Sequence, residues 1–149
     1  MNLLAYQSEL DIRGKYVFDP IRMKDIVITP EELVRQLLIL YLIKEKQFPK
    51  NKISVERQVL VNGRPKRFDI LVYSEGQTAP IFLIECKAPN VKIDEAVLFQ
   101  ISNYNKTLRA KYCLITNGMS FLCSFINLET EEIRHLEDIP SYSELHVQK

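Results

Sequence analysis

The chain has 149 residues, 46% of them hydrophobic and 26% charged, and a formal net charge of +1. That size and balance fit a single soluble globular domain, 1–149, able to bury a core without staples. The charge total by itself argues neither for nor against a nucleic-acid partner.

The first residues, MNLLAYQSELDIRGK, reach acids after a few apolar positions and lack a signal-peptide core. Residues 10–28 alternate loosely, with Gly14 and Pro20 as punctuation, and predict one or two short strands or an extended arm (1–28). A helix start follows. Thr29 is placed as the N-cap, Pro30 takes the first helical position and Glu32 stands three residues after the cap. The helix is predicted to run to about Gln47, apolar on most faces and therefore largely buried. Its longest apolar run, Leu37 to Ile43, is too short to span a bilayer, so no membrane partner is expected.

Residues 53–61 alternate as a strand, and the Asn62-Gly63 pair favours the positive φ angles of a tight hairpin. Further strands are predicted at 67–74 and 81–88, the latter ended by Pro89. A second helix is predicted from about Ile93 to Leu108, then strands at 112–117 and 120–127 joined at Gly118. An acidic tail (128–149) closes the chain, leaving 29–127 as the core. The order α-β-β-β-α-β-β, with no internal repeat and no linker, predicts an α/β fold with a mixed sheet flanked by helices.

Charge is distributed unevenly. Eight basic residues against two acids lie between Lys44 and Arg67, whereas six acids face Arg134 and Lys149 from Asn127 onward. Such a face could guide a polyanion, or be no more than a solvated helix end and hairpin. Cys86, Cys113 and Cys123 sit in apolar strand-like runs without a CxxC pair, which suits small buried hydrophobes in a reduced, cytoplasmic setting.

Two of the predicted strands carry charge where a core strand should have none. Asp69 lies inside FDILVY, and Glu85 and Lys87 lie inside IFLIECKA, the only acid-x-Lys triplet in the chain. Strict alternation puts Arg67, Asp69, Leu71 and Tyr73 on one face, and Glu85 and Lys87 on one face of the next strand. If the strands are neighbours, Asp69, Glu85 and Lys87 meet at one end of the sheet. Burying two anions there costs several kcal/mol unless they are paired. Lys87 can neutralise one. Mg²⁺ or Mn²⁺ would suit both, held by Asp69, Glu85 and the main-chain carbonyl of Cys86. Such an ion polarises a phosphodiester and activates water, with Lys87 stabilising developing negative charge. The competing reading is an exposed strand end where Glu85 and Lys87 pair with each other.

The stretches TPEELVRQLL, RFDILVY, IECKAP and FQISNY resemble the PD-(D/E)XK nuclease superfamily, with its restriction-endonuclease-like fold. More closely they are similar to the N-terminal nuclease domain of type I restriction enzyme R subunits and their small stand-alone relatives, over roughly residues 26–126. The resemblance implies that Asp69, Glu85 and Lys87 are catalytic and that DNA is the substrate. It implies roles for Gln100 and Tyr104, one helical turn apart, near the site or on the DNA backbone, where packing is the alternative. Glu32 matches a first-helix glutamate that supports a metal or its water, although a capping box would also explain it. Arg35, a turn further on, is either a phosphate contact or a partner for Glu32, and Arg67 is a candidate nucleic-acid contact.

Phe68 stands where the family's name has proline, a departure that hardly touches the metal chemistry. No GxxxxGK[ST] motif is present, so the resemblance concerns the nuclease domain and not an ATP-driven motor. The chain is expected to act alone, as a homodimer, or with motor and specificity subunits supplied separately. Its expected function is metal-dependent hydrolysis of DNA in restriction, defence or DNA processing. The alternative is a non-catalytic module on the same fold that binds nucleic acid or protein. His135 and His146 are too isolated to suggest a triad or a zinc site.

Overall fold

The computed structural model describes residues 2–147; Met1 and the last two residues of the acidic segment, Gln148 and Lys149, lie outside that range. A 3₁₀ turn at Leu3–Glu9 opens the chain, its first turn capped by the Asn2 side chain, which accepts the Leu4 N–H at 3.1 Å. Three short antiparallel strands follow in order, β1 (Ile12–Arg13), β2 (Tyr16–Asp19) and β3 (Lys24–Val27). The arm expected for 1–28 is thus a small sheet. Asp19 makes its second turn: Oδ1 accepts the N–H groups of Ile21 and Arg22 at 2.7 and 2.9 Å, a local bond that Asp offers readily.

Helix α1 (Pro30–Lys44) begins where the sequence predicts, with Thr29 Oγ1 accepting the Glu32 N–H at 3.1 Å and Pro30 opening the first turn. The Glu32 carboxylate does not return to the cap, because two arginines claim it. The helix ends at Lys44, three residues short of the expected Gln47. Leu37, Leu38 and Leu42 are wholly buried, each worth about 1.5–3 kcal/mol in surface removed from water.

A second sheet carries the rest: β4 (Ile53–Val61), β5 (Arg64–Tyr73), β6 (Pro80–Cys86), β7 (Tyr112–Thr116), β8 (Phe121–Ile126) and β9 (Ile133–Leu136), in that spatial order. All neighbours are antiparallel except β6 and β7, which run parallel and are joined through α2 (Glu95–Leu108). A parallel pair needs such a crossover, whereas a two-residue turn suffices for β4–β5. At that turn Asn62 and Gly63 both have positive φ, 52° and 77°, as the Asn-Gly pair predicts. β9 replaces part of the expected acidic tail. Its alternation is weak, and pairing with β8 (Ile126 opposite Ile133, Cys123 opposite Leu136) defines it.

The second sheet has two covered faces. On one, α1 packs with Leu3 over Ile70, Val72, Phe82, Ile84, Cys86, Tyr112, Leu114 and Phe125. On the other, Leu98 and Ile101 of α2 meet Phe68, Leu71, Leu83, Cys113 and Ile115. Cover on both sides explains why every residue of β7 is buried. The β7–β8 turn needs Gly118, which has φ +90° and would place a Cβ 3.5 Å from Val34. The three cysteines are free and buried. Among the described residues no helix is long and apolar enough to cross a membrane.

Candidate active site

The sheet brings the charged strands together in a particular way. β5 and β6 are antiparallel neighbours with Ile70 opposite Ile84, so Asp69 lies near the C-terminal end of β6. Its Oδ2 accepts the Cys86 N–H at 2.7 Å. Residues seventeen apart are thereby fixed to each other by one charge-assisted bond. Lys87 follows immediately, half-buried, its own N–H donated to the Thr116 carbonyl of β7 at 2.8 Å.

The strict alternation expected of β5 fails at this point. Phe68 packs on the α2 side while Ile70, two residues on, packs on the α1 side. The break coincides with Glu56 of β4, which holds φ +54° in the middle of a strand and interrupts the pairing between Val55–Ile70 and Arg57–Phe68. Asp69 therefore does not simply share a face with Leu71 and Tyr73. It stands at a twist in the strand where it can reach α1 and the end of β6 together.

Glu85 is the most perturbed carboxyl of the site. Burial, and then the Asp69 carboxylate beside it, push it up to about 8, offset only in part by Lys66 and Lys87. With a proton on Glu85 the two carboxyls share a hydrogen bond; without it, two anions face each other. The donor chemistry fits a hard divalent ion: two adjacent carboxylates, their mutual repulsion only partly offset by Lys66, Lys87 and Arg35, at a partly buried strand end. Asp69, Glu85 and the Cys86 carbonyl are the groups that would hold Mg²⁺ or Mn²⁺. Among the described residues no group of three His, Cys, Asp or Glu side chains gathers as a metal cage, so such an ion would keep waters or substrate oxygens in its shell.

Behind Asp69 lies a buried ion network that sequence patterning does not reveal. Arg35 gives Nε to Glu32 Oε2 at 2.8 Å and Nη2 to Glu32 Oε1 at 2.5 Å, and its Nη1 reaches Glu56 at 3.3 Å and Asp69 at 3.5 Å. Arg22, from the turn between β2 and β3, bridges Asp19 at 2.6 Å and Glu32 at 2.8 Å. Gln36 donates to both Asp19 and Glu32, at 2.9 and 3.1 Å. Burial pushes the Glu32 carboxyl up, but hydrogen bonds from Arg35, Arg22 and Gln36 outweigh it and hold it at about 2. Glu32 thus touches Asp69 only through Arg35. Arg35 is nearly fully buried and turns its donors to the carboxylates of Glu32, Glu56 and Asp69, as a partner for Glu32 rather than an open phosphate contact.

Two of the remaining candidates, Gln100 and Tyr104, lie on α2, across the sheet from α1. Gln100 is exposed on α2, and Arg67 is exposed on β5 opposite Gln58. Tyr104, one turn from Gln100, stands edge-on to Phe68 with ring centroids 6.2 Å apart. Lys66 lies over Tyr104, its Nζ 4.6 Å from the ring centroid. Asp19, Arg22, Gln36, Glu56 and Lys66 are site neighbours that the sequence reading does not single out. The hints available were the basic cluster around Lys66 and the helical spacing that puts Gln36 one turn after Glu32; for Asp19, Arg22 and Glu56 the sequence carries no local signal of a partner.

Comparison with known proteins agrees with this architecture. Residues 30–140 match the profile of the type I restriction enzyme R protein N terminus (HSDR_N). The chain belongs to that family. The match begins at α1, so the β1–β3 sheet that supplies Asp19 and Arg22 precedes the matched region. A solved fragment of a protein described as the HsdR subunit of a type I restriction enzyme from Vibrio vulnificus YJ016 superposes with a TM-score of 0.56 at 24% identity, covering 77% of this chain and 24% of that one. That likeness supports the fold, and this R-subunit-like chain spans about a quarter of the solved one. No curated protein matches it.

Proposed function

We propose that this member of the R-subunit N-terminal family is a divalent-cation-dependent endonuclease acting on DNA phosphodiester bonds, in restriction or a related defence process in the cytoplasm. The observation that carries the reading is the meeting of Asp69 and Glu85, from two strands, at the strand end that also bears Lys87. A bound Mg²⁺ or Mn²⁺ would polarise the phosphodiester and lower the pKa of an attacking water. The chain's own groups do the rest. Asp69, anchored by the Cys86 N–H, keeps one carboxylate fixed. Glu85 gives up its proton to complete the anionic pair. Lys87, held by the Thr116 carbonyl, aims an ammonium at the charge that develops on the phosphoryl oxygens. Arg35 and the glutamates around it brace Asp69 from behind, a positioning role for Glu32 as well. Gln100 and Tyr104 line the approach from α2. Cleaving both strands of a duplex would take two such sites, in a homodimer or together with separate motor and specificity subunits.

The test is nicking of supercoiled plasmid with Mg²⁺ or Mn²⁺, comparing the native chain with Lys87→Ala and with an EDTA control. Cleavage that needs the metal and vanishes in Lys87→Ala is the expected result. Cleavage that persists in Lys87→Ala would overturn the assignment. Plasmid binding without cleavage would turn the reading toward a non-catalytic DNA-binding module.

A further inference from the structure

The Lys66 ammonium is half-buried over two aromatic rings, 4.6 Å from the Tyr104 centroid and 5.7 Å from that of Phe68. Such cation–π contacts restrain a lysine but leave its N–H donors available. Among the described residues it forms no ion pair, unlike Lys44, Lys46 and Lys52, each of which meets a carboxylate. It also lies close enough to Glu85 to oppose that group's burial. Beside it opens a cleft of about 570 Å³ between the β4–β5 turn and α2, whose polar lining is Asn62, Arg64, Lys66, Asn103 and Tyr104. Among the described residues no carboxylate lines it. Two cations, two amides and a phenol form a donor-rich surface suited to phosphate and sugar oxygens. A ring-held ammonium has less freedom left to lose when it binds one.

We infer that the cleft of Asn62, Arg64, Lys66, Asn103 and Tyr104, beside the Asp69–Glu85 pair, seats the sugar-phosphate backbone of the substrate strand, with Lys66 on a phosphate flanking the reacting one. The inference rests on the nuclease reading for its substrate class. It adds the side from which the strand arrives: over the β4–β5 turn and along α2. Arg35, buried behind Asp69, takes no part in it.

Fluorescence anisotropy of a labelled DNA duplex, and of one of its strands alone, tests this in Ca²⁺ buffer across a salt series. The proteins are the full chain, Lys66→Met, Arg64→Ala, Asn103→Asp and a control, Lys24→Ala on the exposed β3. Lys66→Met keeps the stem on the rings and removes the charge. It is expected to weaken binding about tenfold and reduce the salt slope by about one. Arg64→Ala and Asn103→Asp should weaken binding severalfold, and Lys24→Ala less than twofold. Should Lys66→Met misfold by near-UV circular dichroism, the exposed Arg64 and Asn103 substitutions decide. Binding within twofold of the full chain in all folded cleft variants would overturn the inference, as would a full chain that binds neither DNA form. Plasmid nicking read in parallel separates the two claims. Lys87-dependent cleavage with cleft variants that bind normally sinks the cleft alone; weakened binding without any cleavage by the full chain sinks the nuclease reading alone.

Discussion

Glu85→Gln is expected to make the metal-free protein more stable at neutral pH. In the folded chain the Glu85 carboxyl is pushed from 4.5 to about 8 by burial and by Asp69. A group raised on folding contributes its full stability below the unfolded value, and loses it as pH rises through the folded one. Between about pH 4.5 and 8 the folded state therefore takes up a proton that the unfolded chain has released. At about 1.4 kcal/mol per pH unit, holding that proton at pH 7 costs about 3 kcal/mol. Glutamine offers Asp69 an N–H donor with no proton to find, so the variant should gain about 2–3 kcal/mol at pH 7, and little at pH 4.5. Urea denaturation of both proteins in EDTA, at several values between pH 4.5 and 8.5, measures the difference directly. Adding Mg²⁺ should then stabilise the native chain more than the variant, because binding to the folded state alone raises stability by mass action. A variant less stable at pH 7, or a difference that does not grow with pH, would refute the reasoning. Glu85 would then not be buried against Asp69.

Other expectations follow from the same physics. Glu32, held at about 2 against an ordinary 4.5, contributes stability above pH 4.5 that is lost as pH falls toward 2. The loss is about 3 kcal/mol at most, and an acid titration of unfolding in which Glu32→Gln shows the same acid limb as the native chain would contradict the network. The Tyr112 hydroxyl is buried with no hydrogen-bond partner among the described residues, and burial pushes it up to about 12. Tyr112→Phe should therefore be stabilising by about 1 kcal/mol; a loss in urea midpoint would show that the hydroxyl is bonded after all. Arg109 ends α2 at φ +57° with its side chain exposed. Arg109→Gly should raise the thermal midpoint through a gain of about 0.5–1 kcal/mol, and a lowered midpoint would mean that the side chain matters more than the backbone.

Much of this protein is legible in one dimension because it is local. Thr29-Pro30 opens α1 and Asn62-Gly63 turns a hairpin; each needs only its neighbours in sequence. α2 starts at Glu95, two residues after the expected Ile93, because Asp94 caps it by accepting the Val97 N–H at 3.1 Å. The apolar runs of β6 and β7 are long enough to mark themselves, and the charges inside FDILVY and IECKA mark a site by contradicting their surroundings. The short strands left less: the loose alternation over 10–28 suggested one or two short strands or an extended arm, not a three-stranded sheet, and β9 left no trace. β1, β2, β3 and β9 are two to four residues each, and they exist because a partner strand satisfies their backbone, a condition that no local pattern records.

The sequence alone therefore determined the start of α1, the central strands and the identity of the charged trio. Only the tertiary structure decided what that charge meets. The break of alternation at Asp69 follows from Glu56 across the ladder, the bracing of Asp69 from Arg35 and its bond to Arg22's partner Glu32, and the ring-held Lys66 from a tyrosine thirty-eight positions along the chain. The energy of a buried charge depends on every counter-charge and dipole within a few ångströms, and those neighbours come from parts of the chain that only folding brings together.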